Sequence, residues 1–376
     1  TVEDNVIDEL VDRLVATSDY ARRRGEVAAF NAASPVLKRG LALTPVKFGI
    51  SFNVAHFNQA GALVHVYADG SVLVNHGGTE MGQGLNTKVA QVVAHELGIA
   101  LGNVRCTATD THKVANTSAT AASTGADLNG KAAQDAARQI RERLATFAAE
   151  RFDVAAEAVR FADDSVSAGT HTVAFCELVT QAYMARVQLW SDGFYATPGL
   201  HWNRDTLQGK PFFYFAYGAA VSEVVVDTLT GESRLLRADV LHDVGRSLNP
   251  AIDIGQVEGA FIQGMGWLTT EELVWHPQTG LLTTHAPSTY KIPTANDCPP
   301  VFNVALFQAD NVADSIHRSK AVGEPPLLLP FSVFFAIRDA VSAVGEHHVD
   351  PPLRAPATAE AVLDAVQAVR DGCRPA

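Results

Sequence analysis

The 376-residue chain is poor in cysteine and has no long run of charge of one sign. Its four cysteines form no CxxC pair and lie far apart, at Cys106, Cys176, Cys298 and Cys373. Neither a zinc site nor an iron-sulfur cluster can therefore be read from the cysteines, and we expect reduced thiols in a cytoplasmic protein. The net charge is −12 and the basic residues are not clustered, so nucleic acid is not an expected partner.

The chain also lacks the signs of membrane insertion and of a side-chain metal site. No signal peptide opens it and we find no stretch of 18 or more apolar residues, so no membrane span is expected. Its 13 histidines form no HxxxH or HxH pair, which argues against a zinc enzyme. GxSxG is absent, so a serine hydrolase of that type has no support. Because the first residue is Thr1, we expect a piece of a longer polypeptide.

Composition and local patterns predict a globular α+β protein. With 47% hydrophobic and 19% charged residues, the chain can bury one or two large cores. Hydrophobic spacing predicts an N-terminal helix, with Thr1 and Asp4 placed as a capping box, and then a linker over residues 31–45. We therefore expect residues 1–45 to be a helix and linker from a preceding domain, and residues 46–376 to be a second domain with two subdomains.

The predicted elements beyond residue 45 are hairpins and helices without a regular βαβ rhythm, which favours mixed antiparallel sheets. The turn at Asp69-Gly70 predicts a hairpin, and a helix ends at Gly98. An alanine-rich helix is predicted over residues 127–151, and strands over 212–227 and 233–240. Further helices are expected after Asp253, over 331–344 and over 359–369, the last with Thr358 as N-cap.

A glycine-rich loop joins the predicted hairpin to the helix that follows. It has four glycines in residues 77–84, which gives its backbone N–H groups freedom to turn toward an anion. It matches neither GxGxxG nor a P-loop, and a plain strand-to-helix turn is an equal alternative. Gln83 favours a ligand, because its carboxamide can donate to and accept from a heterocycle.

A second run of small residues, 117–125, precedes a predicted helix N-terminus. Its hydroxyls and accessible backbone suit a phosphate, although an ordinary N-cap region explains the same pattern.

The third segment is Gly323-Glu324-Pro325-Pro326, directly before an apolar run. A carboxylate in such surroundings loses solvation, which raises its pKa and makes Glu324 a candidate general base. The alternative is a carboxylate that interacts with a helix dipole.

Five motifs, taken in order, closely resemble the molybdenum-binding region of the xanthine dehydrogenase family over about 300 residues. They are HGGTEMGQGL (76–85), NTSATAAS (116–123), NPAIDIGQVEG (249–259), PSTYKIP (287–293) and SKAVGEPPL (319–327). Aldehyde oxidases are similar but typically have Gly-Glu-Ser where this chain has Gly323-Glu324-Pro325.

The resemblance implies a set of site residues. A molybdopterin cofactor would be held by Met81, Gly82, Gln83, Ala122, Ser123, Gln256 and Gly323. The molybdenum itself would be bound by the pterin dithiolene and by no side chain. Glu324 would be the catalytic base, Phe52 would pack on a purine ring, and Asn53 stands where vertebrate relatives commonly have threonine.

The resemblance also implies a reaction and partners. Hypoxanthine and xanthine would be oxidised to urate with water as the oxygen source. The preceding molybdenum-binding domain would supply an arginine and a second glutamate, and 2Fe-2S clusters and FAD elsewhere would carry electrons to NAD in a dimeric enzyme. An aldehyde or other N-heterocycle hydroxylase and a non-catalytic scaffold module remain as alternatives.

Overall fold

Two four-stranded sheets organise the computed structural model, which describes residues 4–373. The helices of this part of the chain are α1 Ile7–Thr17, α2 Tyr20–Ala33, α3 Leu85–Leu97, α4 Gly125–Phe152, α5 Phe175–Met184, α6 Pro250–Thr269, α7 Phe331–Ser342 and α8 Ala359–Gly372. Its strands are β1 Leu37–Ile50, β2 Gln59–Val66, β3 Val72–His76, β4 Val104–Cys106, β5 Val159–Ala162, β6 Ser165–Ala168, β7 His171–Ala174, β8 Trp190–Ala196, β9 His201–Asn203, β10 Gln208–Lys210, β11 Tyr214–Asp227, β12 Ser233–Asp243 and β13 Val301–Phe307.

The larger sheet has the strand order β1-β11-β12-β13. Its first three strands are antiparallel and β13 joins β12 in parallel. One face is covered by a core that includes Val257 and Phe261 of α6, Val333 of α7 and Val362 of α8. Leu10 and Leu14 of α1 pack on the other face. Both faces are therefore buried, which explains the continuous apolar run in the middle of β11.

The smaller sheet has the order β4-β3-β2-β8 and supports the two long helices α3 and α4. A separate core joins these elements with α5 and the small antiparallel sheet β5-β6-β7. Alanines along one side of α4 are fully buried, among them Ala132, Ala136 and Ala137. Small side chains let α4 lie close to β8, where a Cβ on Gly193 would fall 2.1 Å from the Ala132 carbonyl oxygen.

The α+β class is confirmed, but the predicted linker over residues 31–45 is wrong. Residues 37–50 form β1, the edge strand of the larger sheet, which pairs with β11 along its whole length. Pro45 is tolerated because an edge strand leaves one row of backbone groups unpaired. Two helices, with left-handed Asp19 between them, replace the single predicted helix. Thr1 lies outside the described residues, and the division of the chain at residue 45 stays a prediction.

Most of the other predicted elements are confirmed to within a few residues. The hairpin is β2 and β3, and α3 ends at Gly98, whose φ of 67° is left-handed. Thr358 caps α8 by accepting from the Ala361 N–H. The α6 helix begins earlier than predicted, because Asn249 caps it at the Ile252 N–H. Strands β4 to β10 and β13 and helix α5 were not predicted.

One apolar segment corrects the expectation that no stretch could span a membrane. Residues 325–345 are long and apolar enough by length and composition, and half of the segment is buried inside the structure. Its central part, α7, packs on β1 and β11 of the larger sheet. It also contains Arg338 and Asp339, and Asp339 accepts from the backbone N–H of Leu41. These contacts are those of a core helix.

Candidate functional site

A cavity of about 360 Å³ lies where loops of the smaller sheet meet loops of the larger sheet. The first group of lining residues comes from the glycine-rich loop, α3, the 117–125 run and the start of α4. The second comes from α6 and the segment before α7. The lining includes Met81, Gln83, Lys88, Thr120, Ser123, Gly125, Asp127, Asp253, Gln256, Lys320, Gly323 and Glu324. The structure therefore brings together six of the predicted site residues, and Gly82 and Ala122 are their chain neighbours.

The glycine-rich loop is closed by a carboxylate of the chain itself. Glu80 accepts from the backbone N–H groups of Gly82 at 2.9 Å, Gly84 at 3.0 Å and Asn86 at 2.9 Å. Burial acts to raise the pKa of Glu80, but these hydrogen bonds outweigh it and lower the pKa. The prediction that the loop N–H groups serve an external anion is wrong for these donors. The sequence analysis did not predict this role of Glu80, because the resemblance implies no function for that residue.

Gln83 holds the same loop from the other side. Its Oε1 accepts from the Met81 N–H at 2.6 Å, and its Nε2 donates to the Thr79 carbonyl at 2.9 Å. Each amide atom keeps one hydrogen-bonding capacity for a ligand. The Met81 side chain is 67% exposed at the cavity, although it is a large apolar group.

The 117–125 run packs directly on the glycine-rich loop. The Thr79 N–H donates to the Thr120 hydroxyl at 2.8 Å, and a Cβ on Gly77 would fall 2.3 Å from a Thr117 methyl carbon. Ala122 and Ser123 have φ values of 53° and 56°. Left-handed backbone costs a non-glycine residue about 1–2 kcal/mol, so the surrounding contacts fix this turn. No side chain caps α4, and its first residues line the cavity.

Glu324 is held by Ser123. The Ser123 hydroxyl donates to Glu324 Oε2 at 2.7 Å and accepts from the Glu324 backbone N–H at 2.8 Å. Gly323 allows this approach, since a Cβ there would lie 3.2 Å from Ser123 Oγ. The predicted loss of solvation is wrong for this chain, because Glu324 is exposed at the cavity wall. The apolar run after it begins as a short 3-10 helix, and two of its leucines pack in the core on the larger sheet and not around the carboxylate.

Gln256 reaches the cavity from α6 and leaves its carboxamide free of hydrogen bonds to residues 4–373. Next to it, the Lys88 ammonium is buried and donates to Asp253 at 2.5 Å. Asp253 also accepts from the Ser247 hydroxyl. The positive charge of Lys88 is therefore neutralised within the protein.

A buried carboxyl lies in the first turn of α4. Asp127 Oδ2 accepts from the Tyr214 hydroxyl at 2.6 Å, and the Tyr214 oxygen accepts from the Ala321 N–H at 2.9 Å. Burial raises the pKa of Asp127 to about 6, even though the Tyr214 hydrogen bond acts to lower it. The pKa of Tyr214 is also raised, by burial and then by Asp127. Sequence reasoning missed this pair, because 87 residues separate its members.

Phe52 and Asn53 do not line the cavity. Phe52 is half-buried and packs edge-to-face on Phe57, with ring centroids 5.5 Å apart. The Asn58 carboxamide fixes this turn by bonding both the N–H and the carbonyl of Phe52. The turn contacts the 117–125 run, because Ser118 donates to the Phe57 carbonyl. Asn53 is exposed.

The chemistry of the cavity is that of a neutral polar ligand. Within residues 4–373, no group of three or more His, Cys, Asp and Glu side chains could hold a metal ion. Of the charged side chains that line the cavity, Lys88 and Lys320 are ion-paired, with Asp253 and Asp243. Asp127 and Glu324 are hydrogen-bonded to the hydroxyl groups of Tyr214 and Ser123, and Oε1 of Glu324 is left without a partner among residues 4–373. Free capacity remains on the carboxamides of Gln83 and Gln256. The uncapped α4 N-terminus is a suitable place for a phosphate on such a ligand.

Comparison with known proteins gives a consistent result. A family model described as a molybdopterin cofactor-binding domain matches residues 13–299. Xanthine dehydrogenase of Dictyostelium discoideum is 47% identical over 96% of this chain and 26% of its own length. Xanthine dehydrogenase/oxidase of Mus musculus is 47% identical over 94% of this chain, again 26% of its length. The chain thus spans about a quarter of these relatives.

Solved structures share the fold. CO dehydrogenase from Oligotropha carboxidovorans has a TM-score of 0.85 at 20% identity, covering 99% of this chain and 46% of that chain. Quinoline 2-oxidoreductase from Pseudomonas putida 86 has a TM-score of 0.82 at 23% identity, covering 96% of this chain and 46% of that chain. At these identities the likeness shows the fold alone, and it confirms the predicted fold type.

Proposed function

Because the chain belongs to the molybdopterin cofactor-binding domain family, we propose that it is the catalytic part of a molybdenum hydroxylase that oxidises hypoxanthine and xanthine to urate. The cavity in which Gln83, Ser123, Gln256 and Glu324 meet carries this proposal. Identity of 47% to proteins named xanthine dehydrogenase favours a purine substrate.

The residues of the cavity fit molybdopterin. A pterin is a neutral heterocycle with several donors and acceptors, which the free amide capacities of Gln83 and Gln256 can satisfy. The α4 N-terminus suits its phosphate. Gly82 has a φ of 100° and its missing Cβ would meet no atom within 4 Å, so the backbone is open to a ligand there. We propose Met81, Gly82, Ala122, Ser123 and Gly323 as further contacts of the cofactor. Met81 and Gly82 would contact it with groups other than their N–H, which Gln83 and Glu80 already bind.

In the proposed reaction, an oxygen atom from water is added to a ring carbon, and two electrons and two protons are released. The bound cofactor supplies a molybdenum centre that takes up the electrons and acidifies water. Glu324 takes up a proton at Oε1, because its Oε2 already accepts from Ser123. Ser123 holds the carboxylate in one orientation during this transfer.

The proposal requires further parts beyond this chain. We propose that a preceding molybdenum-binding domain completes the substrate pocket, and that iron-sulfur and FAD centres pass the electrons to NAD. The chain spans 26% of its relatives, which leaves room for such parts. Phe52 lies beside the 117–125 run, so we keep it as a candidate for stacking on the purine, with Asn53 beside it. Cytoplasmic location and a dimeric enzyme stay predictions.

The test is a substrate panel on the purified protein that carries this chain together with its remaining domains. We expect about one molybdenum per chain and urate as the product from hypoxanthine and xanthine. Faster oxidation of aldehydes or of other N-heterocycles would assign the chain to a different hydroxylase. A purified protein without molybdenum and without turnover would mean a non-catalytic module and would contradict the proposal.

A further inference from the structure

The segment that carries Glu324 has no regular structure of its own. Residues 320–324 belong to neither a helix nor a strand. The position of Glu324 therefore depends on contacts from other parts of the fold. On its C-terminal side, Glu324 leads into the 3-10 helix Pro325–Leu328. On its N-terminal side the segment is held by individual hydrogen bonds and not by a helix or a strand.

Ala321 is the anchor that connects this segment to the cavity floor. Its N–H donates to the hydroxyl oxygen of Tyr214 at 2.9 Å. Tyr214 is 4% exposed, and its ring packs with Ile50, Ala216 and Ala321 in a small buried cluster. The ring therefore cannot move without displacing its neighbours.

Asp127 fixes the orientation of the Tyr214 hydroxyl group. The Tyr214 O–H donates to Asp127 Oδ2 at 2.6 Å, so the oxygen lone pairs are left for the Ala321 N–H. A hydrogen bond to a buried carboxylate is stronger than one between neutral groups. Asp127 belongs to α4 and lies four residues after Ser123, the residue that holds the Glu324 carboxylate. Two attachments of the segment, at Ala321 and at Glu324, therefore start from the same end of α4. Lys320 is held separately by the larger sheet, because its N–H donates to the Val244 carbonyl and its ammonium to Asp243.

We propose that Tyr214, oriented by Asp127, is a positioning residue for Glu324 and acts through the N–H of Ala321. The proposal rests on the proposed role of Glu324 as base. Neither Tyr214 nor Asp127 is assigned a chemical step. Loss of the Tyr214 hydroxyl leaves the Ala321 N–H buried without a partner, and the segment relaxes away from its position.

The first experiment compares Tyr214→Phe with a matched control on the same strand. Tyr217 is also fully buried, but its hydroxyl has no hydrogen-bond partner among residues 4–373. Tyr217→Phe keeps the aromatic ring beneath Lys320, so we expect it to change neither the hydrogen exchange of residues 319–324 nor kcat. Hydrogen exchange of a peptide covering residues 319–324, followed by mass spectrometry on the assembled protein, reports the position of the segment directly. We expect exchange to be roughly tenfold faster in Tyr214→Phe and unchanged in Tyr217→Phe.

Steady-state kinetics gives a second readout. Because a displacement of about 1 Å at a reacting group can cost roughly 10²-fold in rate, we expect Tyr214→Phe to lower kcat by about 10- to 100-fold. KM and molybdenum content should stay as in the unchanged protein, since the substrate and cofactor contacts are kept. Asp127→Asn should give an intermediate effect in both readouts, because the amide can still contact the Tyr214 hydroxyl without a charge.

The outcomes separate the positioning role from the proposed function. If exchange of residues 319–324 in Tyr214→Phe equals that in Tyr217→Phe, the proposal is wrong. If exchange rises but kcat does not fall, Tyr214 has only a structural role and the proposal is also wrong. Should Tyr214→Phe not fold, the same measurements on Asp127→Asn decide. Failure of the base role of Glu324 is recognised independently, by full activity of Glu324→Gln, and failure of the proposed reaction by the absence of urate formation in the unchanged protein.

Discussion

Ser123 and Glu324 are joined by two hydrogen bonds made by one hydroxyl group. The hydroxyl donates its only hydrogen to Glu324 Oε2 and accepts from the Glu324 N–H. It therefore has no donor left for another ligand. Of the contacts implied for Ser123 toward a cofactor, only those of its backbone and its remaining lone pair stay available.

Ser123→Ala should lower the rate and leave the cofactor in place. The carboxylate loses its donor and turns more freely, so we expect kcat to fall by roughly tenfold, as for loss of orientation at a reacting group. Ser118→Ala is the matched control, because Ser118 bonds only the Phe57 carbonyl in the same run. Molybdenum analysis beside kcat tests this. A large loss of molybdenum in Ser123→Ala would show that the hydroxyl holds the cofactor instead.

Glu324→Gln should keep both the fold and the cofactor while nearly abolishing turnover. The Gln carbonyl can still accept from Ser123, but the amide cannot take up a proton at Oε1. Removal of a general base costs roughly 10²–10⁴-fold in rate. We would measure rapid-mixing reduction of the molybdenum centre by xanthine in protein with equal molybdenum content. Reduction at an unchanged rate would refute the role of Glu324.

Gln83→Ala and Gln256→Ala should both lower molybdenum content, but only the first should lower stability. Gln83 fastens the glycine-rich loop at Met81 and Thr79, whereas Gln256 makes no hydrogen bond to residues 4–373. Loss of the two loop bonds should lower the free energy of unfolding by about 1–3 kcal/mol. Urea denaturation of the cofactor-free chain measures this difference. Equal stabilities would mean that the loop does not depend on Gln83.

His242→Leu should stabilise the chain, and more so in acid. His242 is fully buried with neither ring nitrogen paired, and burial lowers its pKa to about 3, with Lys320 acting in the same direction. The unfolded chain takes up the proton more readily, so stability is lost as the pH falls from about 6.5 toward 3. We expect a gain of about 1–3 kcal/mol at pH 7.5.

At pH 5 the gain in the free energy of unfolding of His242→Leu should be about 2 kcal/mol larger than at pH 7.5. The reason is that the variant no longer has the loss of stability that His242 causes in acid. Asp127 contributes the opposite pH dependence. Its pKa of about 6 lies above the value of 3.8 for an unfolded chain, so it stabilises the fold as the pH falls from 6 to 3.8. Urea denaturation of both proteins at pH 7.5 and pH 5 tests this. An equal difference at the two pH values would contradict the assignment of His242.

The sequence predicts those elements whose signals are local. Gly98 and Thr358 are terminal signals of helices, and Asp69-Gly70 is a turn signal, so α3, α8 and the first hairpin are found correctly. Strands β5 to β7 have only four residues each, which is too short for an alternation of apolar and polar residues to stand out in the sequence. Strand β1 was missed because Pro45 suggested a break, while its place at a sheet edge makes the proline harmless.

Six of the site residues named by the resemblance line one cavity and Phe52 and Asn53 do not, but the groups that hold the six were not predicted. Lys88 and Asp253 are 165 residues apart, and Tyr214 and Asp127 are 87 apart. Such pairs leave no local pattern, because each partner alone is an ordinary charged or aromatic residue. The expected desolvation of Glu324 failed for a similar reason, since the apolar run after it packs against the larger sheet and not around the carboxylate.

The carboxylate of Glu80 changes what binding costs in the glycine-rich loop. Ordering the backbone of one residue costs roughly 1–2 kcal/mol in conformational entropy, and a free loop would lose this freedom when a ligand arrives. Here the hydrogen bonds from Gly82, Gly84 and Asn86 to Glu80 order the loop during folding. The contacts that a ligand makes with Gln83 can therefore contribute fully to affinity, because none of their free energy is needed to order the loop.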